Sequence, residues 1–329
     1  MTVERFETLV RRLERYAKQS PSAYRFHVGL LAVLGYCYIF AIVLLLLALI
    51  ALLVGAVVGL VVLSARHGSF GALNALKLLI PLGIGLMALI GMIFRSFQVD
   101  FPEPDGVPIE RSQAPRLFAA VDEICRTLQA PRLDHVLIRD DFNASVFQRP
   151  RFGLLGGHTN YLMLGLPLME AVPAAPFRAV LAHEIGHLSG SHIYRVRQTW
   201  DQMLHSLIQQ EHGGVSLFLP FFRWYSPYFA AYSFVLRRGN EYVADRCAAQ
   251  VCGAEAAAQM LILSELKGRA YGQEFWGGLL EQARNQPRVP EDLYGSLQDG
   301  LRKQYSQEMQ WYEDALEERT GLGDTHPSL

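Results

Sequence analysis

The sequence predicts a mainly helical α+β domain with a small sheet, preceded by a hairpin of two transmembrane helices. Two observations carry this prediction. Hydrophobic residues make up 51% of the 329-residue chain, and the excess is concentrated in the first hundred residues, as is typical of membrane segments. Beyond that point, apolar residues recur mostly at helical spacing, and two short stretches have the composition of strands. We therefore divide the chain into an N-terminal segment over 1–27, a membrane hairpin over 28–97 and a folded domain over 98–329.

The N-terminal segment is rich in both basic and acidic residues. Phe6, Leu9 and Leu13 recur in it at helical spacing, so we expect a short amphipathic helix that ends near Ser20-Pro21. Its charged region is far longer than that of a cleavable signal peptide, and no small-residue cleavage site follows a short apolar core. We therefore expect this segment to be retained rather than cleaved as a signal peptide.

Two apolar stretches form the predicted hairpin. The first runs from His27 to Leu63 without a charged residue, and the second from Leu78 to Phe94. About 20 apolar residues are needed to cross the hydrocarbon core, so the first is more than long enough and the second is near the lower limit. The link between them carries only Arg66 and Lys77, whereas basic residues are more frequent on the outer flanks. The positive-inside bias therefore places the N-terminus and the large domain in the cytoplasm.

Charge and cysteine usage exclude several classes of protein. The chain has 30 Lys and Arg against 31 Asp and Glu, so no basic excess indicates nucleic-acid binding. Its four cysteines form no C-x-x-C pair, which argues against a disulfide framework or a cysteine-based zinc site.

The large domain has few strand candidates and many helical patterns. His135 to Ile138 and Tyr161 to Leu166 are the predicted strands. The predicted helices are Ala114–Gln129, Ala174–His192, Val196–Gln210, Arg237–Val251, Ala254–Tyr271 and Leu301–Arg319.

The segment His183-Glu-Ile-Gly-His187 carries the chemistry. On a helix, histidines at i and i+4 project from one face and can both bind one Zn²⁺. Glu184 then lies beside that face, where it can accept a proton from the attacking water and pass it to the leaving amine. The apolar flanks indicate a buried helix, and two buried histidines with a carboxylate require a functional reason.

Catalytic zinc takes three protein ligands, so a third must lie elsewhere. In the template H-E-x-x-H-x-x-G-x-x-H, the third histidine would fall at position 193, which is Ile193. A glutamate from a downstream helix is the other option, and Glu241 fits it, with Asp245 one turn further along. Glu241 is the predicted third ligand, and Asp245 is predicted to orient a ligand imidazole. A solvated helix face is the alternative for this acidic pair.

Together these features resemble the membrane-bound zinc peptidases of gluzincin type that include the CAAX prenyl protease and the bacterial heat-shock membrane protease. The resemblance covers roughly residues 95–329. The segments that carry it are Phe142-Asn143-Ala144, the strand that begins at Asn160, the two helices described above and Thr325-His326-Pro327.

The resemblance implies a zincin-like fold and one Zn²⁺ per chain. It also implies that the strand before the metal helix is an edge strand that binds the substrate backbone, which assigns that role to Tyr161, Leu162, Met163, Leu164 and Gly165. Asn143 and His326 are implied as groups near the scissile carbonyl, where they would stabilise the oxyanion.

The predicted function is that of a membrane-anchored zinc endopeptidase. Its expected partners are polypeptide substrates, including misfolded or membrane proteins, and the lipid bilayer. We expect a multi-pass protein of a bacterial inner membrane with its catalytic domain on the cytoplasmic side.

A third apolar stretch, residues 215–236, lies between the predicted ligands His187 and Glu241. Both ligands must reach one metal ion, so they lie on the same side of the membrane. The 53 residues between them therefore cannot cross the membrane an odd number of times. Pro220, Arg223 and several aromatic residues in the stretch are typical of an interfacial segment. We expect a membrane-associated segment here, with ordinary domain core as the alternative.

Two other functions stay open at this stage. A processing protease for lipidated substrates would use the same chemistry, although two spans are few for building a lipid-binding chamber. A catalytically silent scaffold would retain the fold, but such a protein is expected to have lost Glu184 or a ligand.

Overall fold

The computed structural model describes residues 2–66, 103–151, 157–189, 219–285, 292–303 and 305–318, together with ten residues scattered between 77 and 91. The chain divides into two compact units. Unit 1 contains residues 1–101 and 196–233, and unit 2 contains residues 102–195 and 234–329. The predicted mainly helical composition with a small sheet is confirmed.

Unit 1 begins with a short amphipathic helix, as predicted. Helix α1 spans Val3–Gln19, and the Thr2 hydroxyl caps it by accepting from the Arg5 amide at 3.4 Å. Val10 and Leu13 are buried on one face. After Ser20 the chain enters helix α2, Pro21–Arg66, and the Tyr16 hydroxyl lies 2.6 Å from Nδ1 of His27. The corner between the two helices is therefore held by side-chain contacts.

Helix α2 is apolar on all sides. Within the described part of the chain it is the one helix that is long and apolar enough to cross a membrane, over the 43 residues Pro21–Leu63. Large side chains such as Phe40 (64% exposed) and Leu52 (69% exposed) project from it. A single stripe is buried, consisting of Tyr24, Val28, Ala32, Gly35, Ile39 and Leu46.

The buried stripe of α2 faces an antiparallel helical segment within unit 1. That segment is the first part of helix α6, Leu219–Cys252. Its Phe221 ring stacks on Tyr38 at 3.8 Å, and the Tyr225 hydroxyl donates to the Leu31 carbonyl at 2.6 Å. Further along, the Tyr24 hydroxyl donates to the carbonyl of Tyr232. Residues from 219 onwards in the predicted membrane-associated segment are thus helical, and the helix continues through Pro227.

Two predicted elements lie outside the described residues, wholly or in large part. The predicted helix Val196–Gln210 falls entirely among residues that are not described. The second predicted span, Leu78–Phe94, is described only at scattered positions, all of which are helical.

A four-stranded sheet organises unit 2. Its strands are β1 (Val107–Pro108), β2 (His135–Arg139), β3 (Ala144–Pro150) and β4 (His158–Gly165), in the order β1-β2-β4-β3. The pairing of β2 with β4 is parallel, and the other two pairings are antiparallel. Both predicted strands are present, and β3 was not predicted.

Helices cover one face of the sheet and continue beyond it. They are α3 (Pro115–Thr127), α4 (Leu166–Ala171), α5 (Ala174–Leu188), the second part of α6, α7 (Ala254–Arg269), a π-helical turn (Ala270–Trp276), α8 (Gly277–Asn285), α9 (Leu293–Arg302) and α10 (Glu308–Glu317). Helix α5 lies at the centre, packed against α3, α7 and β3. Leu162 and Leu164 of β4 join Leu181 and Ile185 of α5 in the core.

The prediction that residues 161–165 form an edge strand is wrong. Tyr161, Leu162, Met163, Leu164 and Gly165 pair with β2 on one side, and residues 161–164 pair with β3 on the other. Because its backbone groups bond to neighbours on both sides, β4 cannot add a further strand. In the described part of the chain, β3 is the outer strand on this side of the sheet.

Gly165, at the end of β4, is a site where any side chain should be damaging. A Cβ there would overlap the carbonyl oxygen of Asp141 and lie 2.7 Å from that of Asn143. We expect Gly165→Ala to lower the free energy of unfolding by about 3 kcal/mol, the upper end of overpacking costs, because backbone atoms must move. Chemical denaturation in detergent would measure this, with Gly278→Ala as the control, since open space surrounds Gly278. Equal stability of the two variants would contradict the expectation.

Candidate metal centre

Helix α5 presents its two histidines from a buried position. Its side chains from Ala179 to Ile185 are almost all inaccessible, because the helix packs between the sheet and α7. His183 and His187 are one turn apart on the same face, with ring centroids 4.9 Å apart. Burial therefore holds both imidazoles on the side of the helix from which α6 approaches.

Helix α6 brings Glu241 to this pair. Its Oε2 lies 3.5 Å from Nε2 of His183 and 3.5 Å from Nε2 of His187, and the two Nε2 atoms are 3.2 Å apart. All three side chains are less than 10% exposed. The three predicted ligands are therefore brought together, although 53 residues separate Glu241 from His187 in sequence.

The three donor atoms fit a small metal ion. In a tetrahedral site with ligand bonds of about 2.0–2.1 Å, neighbouring donor atoms are separated by about 3.3 Å. The observed separations of 3.2, 3.5 and 3.5 Å agree with this value. Two imidazoles and one carboxylate are also a usual donor set for a catalytic metal that keeps a fourth position for water or substrate.

Asp245 occupies the position expected of a residue that orients a ligand. Nδ1 of His183 donates to Oδ1 of Asp245 at 3.0 Å, which leaves Nε2 facing Glu241 and His187. Such a bond fixes the ring orientation and the tautomer of a ligand histidine. The predicted role of Asp245 therefore has the geometry it requires.

The charges around His183 favour its protonated form in the metal-free protein. Burial lowers the pKa of His183, but hydrogen bonds to Asp245 and Glu241 and the negative charge of Glu184 outweigh burial and raise it to about 10. Glu184 itself is 9% exposed and lies close enough to act on the imidazole. The site is thus a concentration of negative charge that favours a cation.

This pKa predicts a strong pH dependence of metal binding. A metal must displace the proton from His183, so below pH 10 its binding should release at least one proton. We expect the apparent association constant for Zn²⁺ to rise about tenfold per pH unit, since one proton is exchanged. The informative window is pH 7.5 to 9, in which a histidine with the ordinary pKa of about 6.5 would give no dependence.

Competition titration with a chelating dye, corrected for protonation of the dye, would measure the constant. Calorimetry in buffers of different ionisation enthalpy would count the protons released. A constant that does not change across pH 7.5 to 9 would contradict the raised pKa.

The remaining predicted residues lie beside or within the sheet, or outside the described residues. Asn143 is exposed and directly precedes β3, and its carbonyl accepts from the Gly165 amide at 2.7 Å. His326 lies outside the described residues. Within β4, Leu162 and Leu164 face the helical core, whereas Tyr161 and Met163 cluster on the opposite face of the sheet.

Sequence reasoning missed β3, which lies against α5, the helix that carries His183 and His187. A signal for it was available. Ala144 to Phe147 is a short β-prone run, and the glycines between it and β4 are typical of a hairpin connection.

The family model described as Peptidase family M48 matches residues 113–329, which is about two thirds of the chain and includes all three candidate ligands, Glu184 and Asp245. No curated protein and no solved structure matched the chain significantly.

Proposed function

Because the chain belongs to peptidase family M48, a family of metallopeptidases, we propose that it is a membrane-anchored, zinc-dependent endopeptidase. The observation that carries the proposal is the cluster of His183, His187 and Glu241, whose donor atoms have tetrahedral spacing. Zinc is the metal that best suits two imidazoles and one carboxylate in a four-coordinate site. Members of this donor class hydrolyse peptide bonds with water as the nucleophile.

Metal binding and proton transfer are assigned to different residues of the chain. His183, His187 and Glu241 would hold the zinc, which when bound polarises water and the scissile carbonyl. Glu184 adjoins the ligand His183 and is nearly buried, so its carboxylate is suited to accept a proton from the attacking water. The same group can then donate that proton to the departing amine, which completes the exchange without any other acid.

Strand β3 is the proposed binding edge for the substrate backbone. It is the outer strand next to α5 in the described sheet, so its outward-facing backbone is suited to bind an extended peptide as an added strand. Recognition through the backbone needs no free terminus, which favours cleavage within a chain. The side chain of Asn143, at the start of this edge, and His326 remain our candidates for stabilising the oxyanion.

Helix α2 supports membrane anchoring. Its 43-residue apolar stretch is about twice what a bilayer requires, and only 6% of its most apolar window is buried. Surrounding lipid would cover the large apolar side chains that the protein itself leaves exposed. We propose that the protein lies in a bacterial inner membrane and that its substrates are misfolded or membrane polypeptides. The distribution of basic residues supports a cytoplasmic location for the peptidase domain.

Cleavage of β-casein by the full chain in detergent would test the proposal. We expect about one zinc per chain by elemental analysis, fragments with internal cleavage sites by mass spectrometry, and loss of activity with 1,10-phenanthroline. Added Zn²⁺ should restore cleavage after the chelator is removed. Full activity in metal-stripped protein, or fragments shortened only from their ends, would contradict the proposal.

A further inference from the structure

Gly186 lies where helix α5 touches helix α6. A Cβ placed on it would be 3.0 Å from the Cβ of Cys247 and 3.2 Å from the Cα of Ala244. Carbon atoms of neighbouring groups normally approach to about 3.5–4.0 Å. The two helices therefore touch at this point with no room for even a methyl group.

Helix propensity does not explain why position 186 is a glycine. Glycine in a helix interior is less favourable than alanine, because it loses more backbone freedom on folding. Helix α5 accepts alanine elsewhere, at the fully buried Ala179 and Ala182. The space available at position 186, rather than the backbone conformation, accounts for glycine there.

The contact lies close to the candidate ligands on both helices. Gly186 follows His183 by three residues on α5, and Ala244 follows Glu241 by three residues on α6, so these two contact residues are each on the same side of their helix as a ligand. The separation of the helices at this contact thus limits how closely Glu241 can approach the imidazoles. A Cβ at position 186 would have to be accommodated by a shift of a few tenths of an ångström.

We propose that Gly186 is a positioning residue of the metal centre: its missing side chain lets α5 and α6 approach until Glu241 lies 3.5 Å from both imidazoles. The inference rests on the proposed function in that these ligands bind zinc. Metal sites tolerate deviations in ligand distance of about 0.2 Å, so a shift of the expected size matters.

The first test compares two glycine-to-alanine substitutions. We expect Gly186→Ala to weaken Zn²⁺ binding by about tenfold or more and to change the visible spectrum of bound Co²⁺, which depends on coordination geometry. Gly239→Ala is the matched control, because Gly239 lies on α6 two residues from Glu241 with open space around it. It should keep parental affinity and spectrum. Circular dichroism of the metal-free proteins would confirm that both variants are folded.

The second test uses substitutions at Cys247. Cys247→Gly removes the Cβ that lies 3.0 Å from the added methyl, whereas Cys247→Ala removes only the Sγ at 3.4 Å. In the background of Gly186→Ala, Cys247→Gly should therefore recover part of the zinc affinity, since the contact with Cα of Ala244 at 3.2 Å remains, whereas Cys247→Ala should recover little of it. Each Cys247 substitution is also measured alone. If Gly186→Ala does not fold, the two double variants carry the comparison.

Glu241→Ala, measured in parallel, separates failure of this inference from failure of the proposed function. If Glu241→Ala binds zinc like the parent, the proposed metal centre is wrong. If Glu241→Ala loses zinc while Gly186→Ala keeps parental affinity and spectrum, only the positioning role is wrong. Equal recovery by Cys247→Ala and Cys247→Gly would also overturn that role.

Discussion

Glu184→Gln should abolish peptide hydrolysis while leaving zinc bound. The substitution keeps the size of the side chain and removes its ability to accept a proton, so the rate should fall by about 10²–10⁴-fold, the usual contribution of a general base. Zinc content should stay near one per chain, because Glu184 is not among the three residues whose donor atoms converge. Initial rates of casein cleavage and elemental analysis on the same preparations would measure both quantities.

An exposed glutamate provides the control for this variant. Glu281 lies on the surface of α8, and Glu281→Gln should retain full activity. Cleavage by Glu184→Gln at the parental rate would show that a different group accepts the proton. Loss of zinc together with activity would show that Glu184 supports the metal centre rather than the proton transfer alone.

Glu241→Ala should have the largest effect on metal binding. It removes one of three donors, so we expect zinc affinity to fall by more than the roughly 10–100-fold that loss of a residue supporting a ligand costs. Activity should be lost at micromolar zinc and recovered in part, if at all, at much higher concentrations. A competition titration would measure the affinity.

In the metal-free state, Glu241→Ala should also change the protonation of His183, provided that the variant is folded. There the substitution removes the Glu241 carboxylate, which accepts a hydrogen bond from His183 and so helps to raise its pKa. We therefore expect a lower pKa of His183 in the variant. Protonation of His183 then competes less with binding of the metal to the remaining ligands. Unchanged zinc affinity in a folded Glu241→Ala protein would identify another third ligand.

Local periodicity explains which parts of this centre could be predicted. His183 and His187 are i and i+4 on a helix, and the pattern alone places them on one face whatever the tertiary structure. Glu241 and Asp245 repeat the spacing on a second helix. A buried carboxylate on an apolar helix needs a partner, so the sequence predicts that the two helices are in contact. It does not show how they pack against each other.

Strand pairing could not be predicted in the same way. The choice between β3 and β4 as the outer strand depends on hydrogen bonds between distant segments. Strand β3 contains Gln148, Arg149 and Pro150, which weaken its strand signal, whereas β4 is apolar because it is covered on both sides. The more recognisable strand was therefore the interior one.

Helix boundaries also depend on contacts between segments that are distant in the sequence. The predicted helix Leu301–Arg319 is divided between the end of α9 and α10, and just before α10 the Glu308 carboxylate accepts from the Tyr305 amide at 3.3 Å. That carboxylate also pairs with Lys267 of α7 at 3.3 Å. A contact from another helix thus helps to set a boundary that apolar periodicity alone cannot show.

The packing of α6 on α2 has a practical consequence for biochemical work. Phe222, Tyr225 and Phe229 are buried in unit 1, where Tyr225 also bonds to the backbone of α2. A shortened protein that starts at residue 103 would expose these rings to water, although it would keep every residue of the proposed metal centre. We therefore expect such a fragment to aggregate, and recovery of a soluble, active protease should require the N-terminal helices and a detergent. The N-terminal helices are in this sense needed to cover part of α6 and are not a removable tether.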